Sequence, residues 1–298
     1  DLPILIVDDQ RRGKINSFWQ HNISNDPHLS IISGDATSPS LLRGILKSNA
    51  IVYHLAASWI TECLHDPSIA LSNNIALAYS IGEACLKANV KSLVFSSSTS
   101  IYGSSYHKYL TTKTILQCED PYSASKRASE DILTSFYFQS LRDRRPFNLT
   151  LLRYLNIYGP HEYYCNGKGS VIANFIESSS ADFSTNIYGS PDSLYDFIYV
   201  DDVAYANISS GLNRGLNIRL VGTGIPTSLM QLALMVWETQ GKSPHIDLVE
   251  ERGFVHPSRR VCHPYEVHKQ FRNHCLTTLS EGLRLTIDFH TREYTKPL

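Results

Sequence analysis

The sequence has no apolar run approaching the roughly 18 residues of a membrane-spanning helix, so no transmembrane segment is expected. Its opening, Asp1-Leu2-Pro3-Ile4-Leu5-Ile6-Val7-Asp8-Asp9, has neither the basic start nor the apolar length of a secretory signal. An excess of one charge is also missing. Lys and Arg number 27 against 28 Asp and Glu, a net charge of -1, which gives no basic face for nucleic acid. Cysteine is sparse. The six fall at 63, 85, 118, 165, 262 and 275 with no C-x-x-C pair, which argues against a disulfide framework and for a reducing cytoplasm. Cys262-His263, His268 and His274-Cys275 gather soft ligands, but their spacing fits no usual zinc pattern, and no metal is expected. Repeats, low-complexity tracts and linkers are absent, so domains are expected to interleave. What remains is 42% hydrophobic and 18% charged over 298 residues. That composition excludes disorder, and a chain of this size buries about three quarters of its unfolded surface.

Short apolar runs mark strands at Ile4 to Val7, His28 to Ile32, Ala50 to Leu55, Ser92 to Phe95 and Asn148 to Tyr154. Helix-like stretches lie between them at Ser40 to Leu46, Ile69 to Ala88 and Tyr122 to Leu141. This alternation predicts a doubly wound parallel α/β sheet, which binds ligands beyond the carboxyl ends of its strands. The second half predicts helices at Val171 to Glu177, Asp201 to Ser210, Ser228 to Gln240 and Leu279 to Phe289. Strands are expected at Asp196 to Val200 and Ile218 to Val221. Residues 159–195 read as loop around one helix, and 242–275 as irregular.

The richest chemistry lies at Tyr122-x-x-x-Lys126. Asp120 can cap this helix, and Pro121 suits its first position. Residues four apart share a face. A fixed ammonium beside a phenol favours the phenolate and makes a usable proton acceptor. Such pairs are common by chance. The preceding strand, however, runs into Ser96-Ser97-Ser98-Thr99-Ser100, a hydroxyl cluster where a doubly wound sheet binds its ligand.

Taken with these residues, the chain resembles the extended short-chain dehydrogenases, specifically the NAD-dependent epimerase/dehydratase family. The resemblance runs from Ile4 to about Phe289. Its pieces are Leu5 to Asp9, Gly34-Asp35, Val52-Tyr53-His54-Leu55-Ala56-Ala57, Asp66-Pro67 with Asn74, Ser96 to Gly103, Tyr122 with Lys126, Arg153 to Pro160, Asp196 to Ala204 and Leu279 to Phe289. It implies a Rossmann-like fold with a smaller interleaved substrate domain. The expected division is 1–158 with 196–224 for NAD, and 159–195 with 225–298 for substrate.

The resemblance also implies roles. Ser98, Tyr122 and Lys126 would be catalytic. NAD would lie against Asp8, Asp9, Asp35, Ala36, Leu55, Ala56, Ala57, Asn74, Tyr122, Lys126 and Tyr154. Ser98, Asn156 and Arg252 would hold a nucleotide-sugar substrate. Ser98-Thr99-Ser100 carries no carboxylate where the family's dehydratases do, which disfavours dehydration and leaves epimerisation or keto reduction, and a 4-epimerase is the reading adopted. The alternatives are a keto-reductase or dehydratase of the same family, or a non-catalytic homologue. Asp8 favours NAD over NADP, with Arg11 and Arg12 softening that preference. Tyr195 stands where the family usually has a phosphate-binding Arg. The family's first strand and glycine-rich turn have no counterpart in this sequence, so a fragment of a longer protein is expected. A cytoplasmic homodimer is expected, through the two long helices.

Overall fold

The computed structural model describes residues 3–11, 26–104, 107–162, 169–250 and 258–294. The chain forms two compact units and passes between them more than once. The first comprises Asp1–Phe95, Asp120–Thr150 and Asn213–Asn217; the second comprises Ser96–Glu119, Leu151–Leu212 and Ile218–Leu298.

In the first unit β1 (Ile4–Asp8) pairs in parallel with β2 (Leu29–Ser33). Helix α1 (Pro39–Ile45) follows, then β3 (Ile51–His54) and the short α2 (Ile60–His65). A π-helical stretch, Ala70–Ile75, continues into α3 (Ala76–Ala88). β4 (Ser92–Ser98) lies parallel to β3, with His54 opposite Phe95. Its Ser92 to Ser97 are all buried, as befits a strand covered on both faces. Helix α4 (Pro121–Arg142) then packs on α3. The approach is close at Gly82, where a Cβ would stand 2.5 Å from a ring carbon of Phe136. The strand order is β10-β5-β4-β3, where β5 (Asn148–Tyr154) belongs to the first unit only as far as Thr150 and β10 (Leu216–Val221) only as far as Asn217.

Among the described residues, β1 and β2 pair only with each other. Ile4 and Leu5 of β1 and Tyr53 of β3 are exposed.

The second unit opens on the serine-rich end of β4 and a 3-10 turn at Thr99–Tyr102. It contains β6 (Asn156–Tyr158), α5 (Val171–Ser180), β7 (Thr185–Tyr188), β8 (Leu194–Tyr195), β9 (Phe197–Tyr199) and α6 (Val200–Ser210). After β10 come β11 (Thr227–Ser228), α7 (Leu229–Thr239), β12 (Ile246–Val249), β13 (Arg259–Arg260), α8 (Pro264–Gln270) and α9 (Leu279–Tyr294). Its core gathers Phe175, Ile176, Phe197, Leu232, Val236, Leu283 and Ile287.

Three sequence expectations are corrected here. Residues 159–195 hold strands β7 and β8 besides their helix, and 242–275 hold β12, β13 and α8. These strands are two to four residues long and find partners far along the chain: β12 pairs with β7, and β13 with β8. Such non-local pairing leaves little periodicity to read. The helix expected from Ile69 begins instead as a π-helix, which turns Asn73 and Asn74 into the interior.

Candidate active site

The first unit carries two chemically distinct places. One lies at the carboxyl ends of β1 and β2. There a cavity of about 390 Å³ is lined by Asp9, Arg11, Asp35, Thr37, Ser72 and Asn73. Asp8, the last residue of β1, accepts the Gln10 amide at 2.6 Å. Asp35 accepts the Thr37 amide at 2.8 Å. Asp9 and Asp35 therefore share this cavity, with Ala36 half-buried between Asp35 and Thr37. Thr37, Ser72 and Asn73 are lining residues that the sequence reading does not name, while Arg11 is one it places near this strand end. Ser72 and Asn73 belong to the π-helical stretch Ala70–Ile75.

The other place surrounds Lys126. Asp120 accepts the Ser123 amide at 2.8 Å, and Ser123 Oγ accepts the Asp120 amide at 3.2 Å, a reciprocal cap that starts α4 just before Tyr122. Tyr122 is half-buried and Lys126 is buried. The Lys126 ammonium lies 5.8 Å from the centre of the Tyr122 ring and 5.2 Å from that of Phe95. Burial pushes the Lys126 pKa down to about 8, against the opposing pull of Cys63 and Glu130.

Asn74 ties the surroundings together. Its Oδ1 accepts the Ser58 amide at 2.7 Å, and its Nδ2 donates to Ser125 Oγ at 3.0 Å and to the Ser58 carbonyl at 3.3 Å. Ser125 Oγ in turn donates to the Tyr122 carbonyl at 2.7 Å. Asn74 thus braces the helical turn that carries both Tyr122 and Lys126.

His54 is the unexpected neighbour. Its ring lies 5.0 Å from that of Phe95. Neither ring nitrogen has a hydrogen-bond partner among the described residues. Burial, with the Lys126 charge second, pushes its pKa down to about 3, so the imidazole is neutral. His54 is visible in Val52-Tyr53-His54-Leu55-Ala56-Ala57, but its burial is not. Leu55 and Ala56 just beyond it are exposed, and Ala57 is half-buried.

The remaining predicted residues fall in the second unit. Ser98 Oγ accepts the Ser100 amide at 3.1 Å, which leaves the Ser98 hydroxyl hydrogen to donate elsewhere. Tyr154 Oη is shared between Ser96 Oγ and Asn207 Oδ1, each at 2.9 Å. Asn156 Nδ2 donates to the Asp196 carbonyl at 3.0 Å. The Asp196 carboxylate is fully buried. It accepts from Thr223 N and Oγ1 at 2.7 and 2.6 Å, from Gly224 N at 2.8 Å and from Cys262 N at 3.1 Å. Arg252 and Arg12 lie outside the described residues.

The profile of the NAD dependent epimerase/dehydratase family matches residues 12–210. The chain belongs to this family. A UDP-glucose 4-epimerase from Yersinia enterocolitica is 31% identical over 238 residues, covering 74% of this chain and 70% of the relative. Among solved structures, the UDP-N-acetylglucosamine 4-epimerase from Methanobrevibacter ruminantium, in complex with UDP-N-acetylmuramic acid, superposes with a TM-score of 0.88 at 26% identity. That match covers 98% of this chain and 92% of the other. The Thermus thermophilus UDP-glucose 4-epimerase complex with NAD gives 0.81 at 25% identity, covering 97% and 91%. The fold is the Rossmann-like α/β architecture of the epimerase/dehydratase family.

The cavity at β1 and β2 presents the Asp9 and Asp35 carboxylates as hydrogen-bond acceptors. Carboxylates at strand ends accept ribose hydroxyls, and parallel α/β sheets place such ligands there.

Proposed function

We propose that the chain acts as an NAD-dependent nucleotide-sugar 4-epimerase. The buried Lys126 ammonium, 5.8 Å from the centre of the Tyr122 ring, carries this reading. Asp8, Asp9, Asp35 and Ala36 would hold the adenosine end of NAD. Leu55, Ala56 and Ala57 would line its path, and Asn74, Tyr154 and Lys126 would support the reacting end. Bound NAD supplies a hydride acceptor that later returns the hydride.

Tyr122 Oη takes the proton of the sugar's 4-hydroxyl as that carbon is oxidised, and gives it back when the carbon is reduced from the other face. Lys126 stabilises the phenolate by its charge. Ser98 donates its hydroxyl hydrogen to the same sugar oxygen. Asn156 and Arg252 are assigned to the substrate's nucleotide end. The absence of a carboxylate in Ser98-Thr99-Ser100 favours epimerisation over dehydration, which needs an acid and a base at neighbouring carbons. We assign the working form as a cytoplasmic homodimer, associated through α3 and α4.

The test is product analysis with UDP-glucose, UDP-N-acetylglucosamine and their 4-epimers. Interconversion with no net change in NADH, lost on Tyr122→Phe by about 10²–10⁴-fold, is the expected result. Stoichiometric NADH consumption would assign a reductase, and release of water with a keto-deoxy product a dehydratase. Failure to bind both dinucleotide and nucleotide sugar would leave a non-catalytic homologue.

A further inference from the structure

We infer that Ser58 couples the β1–β2 cavity to the turn of α4 that carries Tyr122 and Lys126, which makes Ser58 a positioning residue for the proposed reaction. The inference rests on the reading of that cavity as the adenosine site. Cavity and turn belong to the same unit, and one run of buried side chains joins them.

The run begins at Asn73, which lines the cavity and is otherwise buried. Asn73 Nδ2 donates to Ser58 Oγ at 2.6 Å. The Ser58 amide donates to Asn74 Oδ1 at 2.7 Å, and the Ser58 carbonyl accepts from Asn74 Nδ2 at 3.3 Å. Asn74 Nδ2 also donates to Ser125 Oγ at 3.0 Å, which donates in turn to the Tyr122 carbonyl at 2.7 Å. A second link runs from Ser129 Oγ to the Asn74 carbonyl at 3.3 Å. Ser58, Asn73, Asn74, Ser125 and Ser129 are all buried, so breaking any of these bonds strands a polar group away from water.

The π-helical stretch Ala70–Ile75 shapes this junction. Successive side chains of an α-helix point about 100° apart. Here Asn73 and Asn74 both reach Ser58, one at its hydroxyl and the other at its backbone. Single π-turns within helices occur mostly at functional sites. Ser58 is thereby held on all three of its polar groups by two neighbouring residues. A ligand that orders Asn73 restrains Ser58, and through Asn74 and Ser125 it restrains the Tyr122 carbonyl. In the helical ladder that carbonyl is the acceptor for the Lys126 amide. Filling the cavity thus stiffens the turn that holds the base and its ammonium, a coupling by ordering rather than by displacement.

The experiment is hydrogen exchange of the full chain, read by mass spectrometry over peptides spanning Tyr122 to Ser129, with and without saturating AMP. AMP presents the adenosine end of NAD without the nicotinamide end. In the unaltered chain AMP is expected to slow exchange in these peptides about threefold or more, the size of one hydrogen bond's net contribution. Ser58→Ala removes the hydroxyl that Asn73 bonds and leaves the backbone bonds to Asn74. It is expected to bind AMP and to lose most of the slowing. Asn73→Ala breaks the same bond from the other end and is expected to do the same at saturating AMP, so the test survives poor folding of either variant.

A purely structural role would raise exchange equally with and without AMP. Slowing that survives in Ser58→Ala would therefore overturn the proposal, as would unchanged exchange in the unaltered chain saturated with AMP. Both results leave the 4-epimerase reading intact. Failure of the unaltered chain to bind AMP would overturn the proposal together with the adenosine reading of the cavity.

Discussion

Lys126 presents its ammonium to the face of Phe95 from 5.2 Å, inside a first-unit core that admits almost no solvent. The charge is held there against a desolvation cost, which brings its pKa down to about 8. An unfolded lysine titrates near 10.4. Between these values the unfolded chain holds a proton that the folded chain has released, so stability rises with pH across that window. Lys126→Met should remove this slope and gain stability at pH 7.5 while abolishing turnover. Chemical denaturation at pH 7.5 and 9.5 checks it: a variant that keeps the slope would show that Lys126 is not its source.

His54 makes the opposite end of the pH range informative. The fold keeps its imidazole neutral down to about pH 3, whereas an unfolded histidine takes a proton near 6.5. Stability is therefore lost as pH falls below 6.5, by up to about 1.4 kcal/mol per pH unit from this one group. Replacement by Phe removes the titration and two buried nitrogens without partners among the described residues. The expected outcome is a smaller loss of melting temperature between pH 6.5 and 4.5 than in the unaltered chain.

Asn74 supplies an acceptor and a donor that a non-polar residue cannot. Asn74→Ala leaves the buried Ser58 amide without its acceptor and Ser125 Oγ without its donor. A loss of about 2 kcal/mol is expected from the unmet hydrogen-bonding groups. If Asn74 braces the turn carrying Tyr122, turnover should fall by more than the folded fraction does. Equal losses of activity and folded protein would make its role structural only.

Asp196 joins β9 to the turn after β10 and to Cys262 through four accepted hydrogen bonds. An amide replaces one carboxylate oxygen with a donor that would face backbone N–H groups. Asp196→Asn is expected to destabilise the protein by about 3 kcal/mol, the upper range for leaving buried N–H groups without their acceptor. Thermal unfolding measures it. A change below about 1 kcal/mol would mean that the network rearranges.

Much of the architecture was legible in the chain itself. Asn148 to Tyr154 reads as a strand from its apolar run, and that strand has those bounds. Asp120 and Pro121 announce the start of α4 because capping is chemistry local to a few residues. Ser228 and Gly241 bracket α7 for the same reason. The strands β7, β8, β12 and β13 were not legible, since each is fixed by a partner tens of residues away. The π-helical turn at Ala70–Ile75 was equally hidden, because nothing in the spacing separates it from an α-helix.

The sequence alone determined the kind of protein: a parallel α/β chain carrying the ordered motifs of the epimerase/dehydratase family, with Tyr122 and Lys126 on one helical face. Helical spacing and strand periodicity depend on near neighbours, so they survive in a one-dimensional reading. Burial and charge pairing depend on what the fold brings together. Only the tertiary structure decided that Lys126 is sunk against Phe95, that His54 is buried beside the same ring, and that Arg11 turns back onto Asp9. A pKa or a ligand preference follows from the dielectric and the charges around a group, and those exist only once the chain has folded.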